Sequence, residues 1–597
     1  MSNDVTTSDG GAPMTPPTNR RRALWVATGV AGLTGVVGLA ALGGLAARHD
    51  KSDDAQRVAE NHAAAPQNAS DARKDGDHGE RNRADERGRD GKEREERGRK
   101  EGRKEERDEF GRVREVPCKN EKLVEAIDLA NRDRGGTLKL APHCTYELAF
   151  ADRKNGTALP TIRQEIVIKG NDATIKRRSE ADFRLFRVAD GGDLILKDLT
   201  IKDGNAAEFK YGEAPKPPML GAPDGLGGSD GLGAPDGQVP SFPQQNKTEG
   251  DADGGALLVE RGGSAHLDKV NLLGNNAEGN GGAIANFGRV ELENSTVENN
   301  HARRNGGGIF NVGILTVKDS CITNNTAGEN GGGIANGEGK EVKEHKDGKD
   351  GKDGSTTWLE GRDRAGSVEI FKTSIENNRA GDNGGGVFSS GGFVKIVLST
   401  IKQNTACKNG GGIYARNTNL DLDKVTVEKN HADRDGGGIY NTGGEKKKEG
   451  PMSMPGKDRD NEPRATATIN ESSILDNSAG RFGGGIFNGE PNAYITEGFL
   501  EDFEGKDGRD DNATLTIRCT DIKGNTALNG GGIFNNEGRV DLTNTRISKN
   551  TATDATKTRR VAGGILNNHG TVRFDETTTI SDNDPTNCAG TVKQCFN

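Results

Sequence analysis

The chain has 597 residues, of which 31% are hydrophobic, 4% aromatic and 29% charged, and its net charge at pH 7 is -9. So few large apolar side chains, beside 88 glycines, argue against an ordinary globular core and for a narrow one. Charges of both signs are spread along the chain, which excludes a basic face for nucleic acid and therefore nucleic acid as a partner.

The N-terminal region predicts export. Three consecutive arginines at 20–22 precede an uncharged, apolar segment at residues 23–47. At about 1.5 Å of rise per residue, a helix of this length crosses a hydrocarbon core of about 30 Å. We therefore expect residues 1–22 to be a cytoplasmic tail and residues 23–47 a single transmembrane anchor, which holds the rest of the protein outside the cell. A cleaved export signal, which would release a secreted protein, is the alternative.

A highly charged segment follows the apolar one. Between Asp71 and Glu109 the chain has no aliphatic residue larger than alanine and no aromatic residue. Such a segment has too little apolar surface to offset the entropy lost on ordering. We predict a disordered linker over residues 48–114 and one folded domain over residues 115–597.

The folded domain is predicted to begin with a helix. Leu123, Val124, Ile127 and Ala130 share one helical face, and Gly135-Gly136 ends the pattern. A solenoid needs a cover over its first coil, because that coil has a neighbour on one side only. We expect this N-terminal helix to act as the cap.

Ten copies of one pattern make up residues 254–583. Each copy has a glycine pair or triplet, an aliphatic residue and two short stretches in which aliphatic and polar residues alternate. A closing Asn-x-Ala is present in all but the last copy. Ile284, Ile309 and Ile334, which follow the glycines in three successive copies, lie 25 residues apart. A fixed period of this size is typical of a solenoid, in which each repeat forms one coil.

The alternating stretches predict β-strands. In Val290-Glu291-Leu292 and its counterparts the aliphatic residues recur at every second position, which places them on one face of a strand. Glycines supply the corners between these short strands. Stacked coils about 4.8 Å apart would place like residues on one another. We therefore predict an all-β fold, a parallel β-helix of about 12 coils of about 25 residues each.

Asparagine recurs at one corner of every coil. An amide side chain both donates and accepts hydrogen bonds, so stacked copies can form a ladder that satisfies the backbone of the turn. The alternative is that these asparagines bind a sugar. We expect the structural ladder to include Asn300, Asn325, Asn378, Asn404, Asn430, Asn477, Asn525 and Asn550.

Four insertions interrupt the repeats, and their composition predicts disordered loops. They lie near residues 214–253, 337–366, 442–464 and 489–512. The last three follow the same element of the repeat, so we expect them to leave the solenoid at one edge. Loops on one edge of a solenoid are often its binding surface.

The seven cysteines include two pairs at the ends of the repeat domain. Cys118 with Cys144, and Cys588 with Cys595, are placed to close loops where stacking gives no support, so both pairs are disulfide candidates. The other three lie in different coils. No Cys/His spacing typical of a metal site occurs, and we expect no metal and no cofactor.

The repeats resemble those of a known group. Gly281-Gly282-Ala283-Ile284, its Gly-Gly-Gly-Ile relatives and the Ile-x-x-Asn endings are similar to the repeats of right-handed parallel β-helix proteins of the pectate-lyase-like superfamily. The nearest variety is that of polymorphic outer-membrane proteins, whose units carry GGAI and FxxN, although here Ile or Val replaces the Phe. The resemblance covers residues 116–597 and implies a right-handed parallel β-helix in a surface, adhesin-like protein.

The pectate-lyase-like fold also houses polysaccharide lyases and hydrolases. Such chemistry needs acids or a basic residue that converge from neighbouring coils on one outward face. The best candidates here are Lys395, Asp421 and Asp423, which alternate on predicted strands. Alternating charge is also typical of a face that simply meets water.

We favour a non-enzymatic, surface-exposed or secreted bacterial protein that acts as an adhesin-like binding or structural rod. Its partner would be a glycan, a cell-wall polymer or another protein, and its contact with the membrane would be residues 23–47. The alternative is a carbohydrate-active enzyme, a lyase or hydrolase of the pectate-lyase-like fold, that would use the three candidate residues.

Overall fold

A computed structural model describes residues 112–152, 156–207, 252–338, 365–444, 465–491, 512–554 and 561–595. The chain divides into two units, Met1–Asp85 and Glu86–Asn597, and all the described residues belong to the second. The expected cytoplasmic tail, the apolar segment 23–47, the linker and most of each predicted insertion lie outside the described residues. The described part of the chain contains no helix with the length and hydropathy of a membrane span.

The strands form three sheets, and the strands within each sheet are parallel to their neighbours. The main sheet has 24 strands, the second 10 and the third 12. This architecture confirms the predicted parallel β-helix.

In the main sheet, a first row of strands is Val113–Val116, Gly136–Leu140, Glu165–Arg177, Asp193–Lys202, Ser264–Leu273, Arg289–Glu293, Ile314–Lys318, Ser367–Phe371, Phe393–Val397, Asn419–Asp423, Ala465–Asn470, Ala513–Arg518, Arg539–Thr543 and Thr571–Phe574. A second row is Thr145–Leu148, Thr296–Glu298, Cys321–Thr323, Ser374–Glu376, Thr400–Lys402, Thr426–Glu428, Ser473–Leu475, Asp521–Lys523, Arg546–Ser548 and Thr579–Ser581. The second sheet consists of Asn205–Ala206, Asn276–Ala277, His301–Ala302, Thr326–Ala327, Arg379–Ala380, Thr405–Ala406, His431–Ala432, Ser478–Ala479, Thr526–Ala527 and Thr551–Ala552. The third sheet consists of Phe186–Val188, Leu257–Val259, Ile284–Asn286, Ile309–Asn311, Ile334–Asn336, Val387–Ser390, Ile413–Arg416, Ile439–Thr442, Ile486–Gly489, Ile533–Asn536, Ile565–Asn568 and Cys588–Gly590.

Aliphatic columns fill the interior of the β-helix. Val290 and Leu292 are fully buried, whereas Glu291 between them reaches the surface. In-register pairing puts Val290 beside Leu315 of the next coil and Leu292 beside Val317. Each aliphatic side chain removed from water in this way contributes about 1.5–3 kcal/mol. A narrow core can therefore be stable when its columns are long.

Each coil turns sharply between the two rows of the main sheet. Asn294, Asp319 and Lys372 occupy this corner in successive coils, with left-handed φ angles of 49°, 45° and 47°. A buried hydroxyl residue follows, and the backbone N–H of Ser295 donates to Oγ of Ser320 in the next coil at 3.0 Å. Backbone N–H groups at this corner cannot bond to the neighbouring strand as they would inside a sheet. The column of serine and threonine side chains accepts hydrogen bonds from them instead.

Stacked asparagines fill the next corner. Their amide nitrogens donate to the side-chain oxygen of the following coil, as from Asn300 to Asn325 at 2.9 Å. The same nitrogen of Asn300 also donates to the carbonyl of Leu272 in the preceding coil at 3.0 Å. The side chains that make up this ladder are those of Asn275, Asn300, Asn325, Asn378, Asn404, Asn430, Asn477, Asn525, Asn550 and Asn583. Being buried, they present no amide to a sugar in solution.

The N-terminal end of the β-helix is covered by one α-helix, Asn120–Arg132. Its buried residues include Leu123 and Ile127, which join the aliphatic core. The predicted capping helix is therefore confirmed. A disulfide between Cys118 and Cys144, whose Cα atoms are 5.7 Å apart, ties the start of this helix to the first coil.

The C-terminal end of the β-helix is covered by the loop between Cys588 and Cys595. Cys588 of the last strand is bonded to Cys595, with Cα atoms 6.2 Å apart. Val592, within the loop that this disulfide closes, packs against the aliphatic core. The remaining three cysteines are free.

A second, aromatic core lies on the other face of the third sheet and was not predicted. Phe388, Tyr414, Tyr440, Phe487 and Phe534 stack in neighbouring coils, with ring centroids 4.4–5.4 Å apart. The glycine turn before each strand lies against them, and this turn has no room for a side chain. A Cβ on Gly384, for example, would approach the Cβ of Phe388 to 2.7 Å. The paired glycines of the repeat therefore make space for this column.

Candidate functional site

The outward face of the main sheet is mostly polar. Each strand of the first row presents three side chains to solvent, and the central one forms a column along the stacked coils. This column contains His266, Glu291, Thr316, Glu369, Lys395, Asp421, Thr468, Thr516 and Asp541. Charged and hydroxyl side chains of this kind are expected where a sheet meets water.

Ile314, which is 42% exposed, interrupts this polarity singly, and the next two strands do so with several apolar residues. Phe371 lies directly beside Val397 in the sheet, Leu398 follows in the turn, and Phe393 begins the second of these strands. We call Phe371, Phe393, Val397 and Leu398 the apolar patch. Phe371 is 37% and Leu398 44% exposed, and the other two are half-buried. Clustered exposed apolar side chains mark contact surfaces, whereas single ones need no explanation.

Leu398 occupies a backbone position that does not favour leucine. Its φ is 51°, and the residues at the same corner of the adjacent coils are Lys372 and Lys424. Left-handed backbone is costly for a side chain that cannot bond to it locally, and Leu398 is exposed, so folding gains little from it. The patch was not predicted, although Phe371 and Val397 stand out as apolar members of an otherwise polar outward column.

The three candidate residues from the sequence lie beside the apolar patch. Lys395 is between Phe393 and Val397 on one strand, and its Nζ is 3.9 Å from Oδ2 of Asp421 on the next. Asp423 pairs in register with Val397. The structure thus places the three on one face of adjacent strands. With Lys395 45% and Asp421 31% exposed, their pair is a solvated one of small energetic value.

A second charged cluster lies farther toward the N-terminus. Lys318 donates to both Glu291 and Glu293, and Nδ1 of His266 is 3.5 Å from Oε2 of Glu291. The hydrogen bond from Lys318 lowers the pKa of Glu291, and the bond to Glu291 raises the pKa of Lys318. One lysine thus binds both carboxylates, and the cluster is a network of ion pairs on the protein surface.

Residues at the ends of two predicted insertions are hydrogen-bonded to one another at one edge of the third sheet. Asn512, the last residue of the range expected for one insertion, donates from Nδ2 to the carbonyl of Gly444 at 2.7 Å and to Oε2 of Glu490 at 2.6 Å. Gly444 and Glu490 lie near the beginnings of the ranges expected for two successive insertions, 442–464 and 489–512. The bases of these insertions are therefore joined at one edge of the third sheet. Strands Ile439–Thr442 and Ile486–Gly489 include the first residue of the range expected for each insertion.

No group of three or more histidine, cysteine, aspartate or glutamate side chains that could hold a metal ion occurs among the residues that the structure describes.

Comparison with known families supports the resemblance seen in the repeats. Residues 399–416 and 424–442 match the Chlamydia polymorphic membrane protein repeat. These segments contain two ladder corners, Asn404 and Asn430, and two of the glycine turns. The predicted similarity to polymorphic outer-membrane protein repeats is confirmed. No curated protein sequence matches the chain.

Solved structures with a similar arrangement include two modules from Azotobacter vinelandii, the mannuronan C-5 epimerase AlgE6 and AlgE4 A-modules. The first is 14% identical, with 77% of this chain and 94% of that chain covered and a TM-score of 0.30. The second is 12% identical, with coverage of 77% and 95% and a TM-score of 0.31. A family 28 exopolygalacturonase of Yersinia enterocolitica is 9% identical, with coverage of 80% of each chain and a TM-score of 0.29. Likeness at this level carries no argument about activity.

Proposed function

We propose that this protein is a surface-displayed β-helix that binds carbohydrate on the outward face of the main sheet without transforming it. The observation that carries the proposal is the apolar patch, because it is the place on a polar face where aromatic rings and charged groups lie together. The repeat similarity to a membrane protein family supports a surface location, and two disulfides fit an oxidising compartment outside the cytoplasm.

The chemistry of the patch suits a sugar. A pyranose ring has an apolar C–H face and a rim of hydroxyls, so it is bound well by an aromatic ring next to charged hydrogen-bonding groups. Phe371 and Phe393 supply the rings, Lys395 supplies donors, and Asp421 and Asp423 supply acceptors. The five residues from Phe393 to Val397 span about 13 Å, the scale of an oligosaccharide.

The exposure and separation of Lys395 and Asp421 favour carbohydrate binding over catalysis. Catalytic acids and bases act from desolvated positions or in tight pairs that tune their protonation. Lys395 and Asp421 are instead well exposed and 3.9 Å apart. The alternative, a lyase or hydrolase, would require these two groups to converge on a substrate bound across the patch.

A glycan array probed with the full-length protein tests the proposal. We expect one class of oligosaccharide to bind, and Phe371→Ala with Phe393→Ala to weaken that binding by at least about tenfold, as loss of aromatic anchors does. Val113→Ala is the matched control, because Val113 is also an exposed apolar residue of the main sheet (39%) but lies at its first strand.

Two results would count against the proposal. Unchanged glycan binding in the double phenylalanine variant would remove the patch from the site. Depolymerisation or epimerisation of a bound polysaccharide that is lost in Lys395→Ala would instead establish the enzyme.

A further inference from the structure

The second sheet carries a histidine between a serine and an aspartate on its outward face. Each two-residue strand of this sheet buries its alanine and turns its first side chain outward. In-register pairing places His431 beside Ser478 of the next coil, and Nδ1 of His431 is 2.7 Å from Oγ of Ser478. Nε2 of the same ring is 3.1 Å from Oδ1 of Asp433. One imidazole therefore bonds to both a hydroxyl and a carboxylate.

The carboxylate decides which ring nitrogen of His431 carries the proton. An ionised Asp433 can only accept hydrogen bonds, so in the neutral imidazole the N–H is on Nε2 and donates to that carboxylate. Nδ1 is then left with a lone pair, which accepts the hydroxyl proton of Ser478. The two nitrogens are exchanged relative to the usual serine-histidine-aspartate triad, but either nitrogen of imidazole can act as a base. The contacts are those that activate a serine as a nucleophile.

The three side chains are also accessible to a substrate. Those of His431 and Asp433 are 46% and 54% exposed, and Ser478 is half-buried. His431 and Ser478 belong to paired strands of stacked coils, so their separation is set by the sheet. An open position of this kind admits an acyl group that is carried by a polymer as well as a small free molecule.

The surroundings limit the substrate to an ester. The backbone N–H groups of Ser478 and Gly480 donate to carbonyls of the preceding coil at 2.9 and 3.0 Å, so strand pairing already uses them. Negative charge on a substrate's carbonyl oxygen would have to be stabilised by a side chain such as the hydroxyl of Thr526, which follows Ser478 in the same column. One hydroxyl is a weak substitute for a pair of backbone donors. An ester has a better leaving group than an amide and needs less stabilisation.

We propose that Ser478, His431 and Asp433 form a second functional site, on a different sheet from the apolar patch, which hydrolyses carboxylic esters. Oγ of Ser478 bonds to the carbonyl carbon of the ester while its proton passes to Nδ1 of His431. The bond from that carbon to the leaving oxygen breaks, and His431 gives the proton to the departing alcohol. Water, deprotonated by the same nitrogen, then attacks the acyl carbon. The carboxylic acid leaves, and the proton returns to Oγ of Ser478.

Labelling of the native full-length protein with a fluorophosphonate tests the proposal. This probe bonds covalently to a serine oxygen that a neighbouring base activates, and peptide mapping identifies the serine. We expect Ser478 to react at least about hundredfold faster than Ser473, the lower end of what general-base assistance supplies. Ser473 is the matched control, because it is a half-buried outward serine of the same coil that pairs with Thr426 and Asp521 and not with a histidine.

Variants separate the roles of the two partners. His431→Gln removes the base and should slow labelling of Ser478 at least about hundredfold. Asp433 is a positioning residue. Asp433→Asn should also slow labelling, because an amide can donate to Nε2 and leave the ring proton on Nδ1. Asp433→Glu keeps a carboxylate and should restore part of the rate, which a merely structural role would not predict. Circular dichroism checks that each variant retains the β-helix.

Turnover is measured with p-nitrophenyl acetate. We expect hydrolysis by the wild type to exceed that by Ser478→Ala at least about hundredfold.

Three results would overturn the proposal. The first is labelling of Ser478 no faster than that of Ser473. The second is a wild-type rate of labelling in His431→Gln, since the serine would then react without the imidazole. The third is equal hydrolysis of p-nitrophenyl acetate by the wild type and Ser478→Ala. Because the two serines are compared within one wild-type sample, a variant that fails to fold cannot decide the outcome.

Discussion

The side-chain Nδ2 of Asn404 donates to Oδ1 of Asn430 in the next coil at 3.0 Å. The same amide donates to the carbonyl of Ile375 in the preceding coil at 2.9 Å, and its oxygen accepts both N and Nδ2 of Asn378. One buried side chain therefore satisfies polar groups of three coils.

Removing this amide should destabilise the centre of the β-helix. Asn404→Ala removes the partner of the buried backbone N–H of Asn378 and a bond to the carbonyl of Ile375. The Nδ2 of Asn378 loses one of its two bonds and keeps the one to the carbonyl of Ile322. A buried polar group left unsatisfied costs about 1–3 kcal/mol. We expect the free energy of unfolding to fall by about 3 kcal/mol. Denaturant titration followed by circular dichroism measures it. Thr405→Ala, at the adjacent half-buried position, is the control, and a loss below about 1 kcal/mol would contradict the ladder's role.

Leu398→Asn should separate stability from binding. Asparagine tolerates the left-handed φ of 51° better than leucine, so the variant should be more stable by about 0.5–1 kcal/mol. It also removes part of the apolar patch and should weaken glycan binding. Thermal unfolding and titration with the bound glycan measure the two effects. If binding survives unchanged, Leu398 is not part of the site.

Asp253→Asn should change the pH dependence of stability. Burial raises the pKa of Asp253 above its ordinary 3.8, although hydrogen bonds from Asn280 and the charges of Arg184 and Arg304 oppose this shift. A raised pKa in the folded state means that stability present below pH 3.8 is lost as pH rises through that folded value. The neutral amide of the variant would accept the same bonds at every pH.

The variant should therefore match the wild type near about pH 3 and exceed it by of order 1 kcal/mol at about pH 7. Denaturant unfolding at both pH values measures this. A variant that is less stable at pH 7 would show that pairing with the two arginines outweighs burial.

Loss of the C-terminal disulfide should act locally. Cys588→Ser opens the loop that holds Val592 against the end of the core, and a short closed loop is worth about 2–3 kcal/mol. Coils of a solenoid contact only their neighbours. Amide hydrogen exchange should therefore speed up in strands Ile565–Asn568 and Cys588–Gly590 and stay unchanged near Asn404. Uniform acceleration would contradict this picture.

The fold could be predicted from the sequence because residues in the same position of each coil have the same surroundings, so the same residue types recur at the coil period. Ile284, Ile309 and Ile334 recur at the coil period, and they pair directly in register. The parallel β-helix and its capping helix follow from that period and from the helical face of residues 121–131.

The aromatic core and the apolar patch were harder to predict. Phe388 and Tyr414 look like exposed strand residues by alternation, yet Phe388 is buried and Tyr414 half-buried, because the glycine turn of their own coil lies against them. The glycines and the aromatic residue belong to the same coil, four positions apart, so the pattern recurs in the sequence. Alternation alone nevertheless assigns the aromatic position to the solvent face, because it does not show that the glycine turn lies there. Phe393 and Leu398 belong to columns that are mostly polar, with Ile314 an apolar counterpart of Phe393 two coils earlier, so sequence alternation alone does not single them out.

Asn325 and Asn378 are 53 residues apart in the chain, yet their side chains bond at 3.0 Å as successive members of the corner ladder. The coil register is the same on both sides of the long segment between them. A scaffold of this kind tolerates foreign peptides at that junction, since the inserted length enters only the weak logarithmic cost of closing a loop. The junction between Glu338 and Ala365 is therefore where we would graft an epitope or a tag onto the protein.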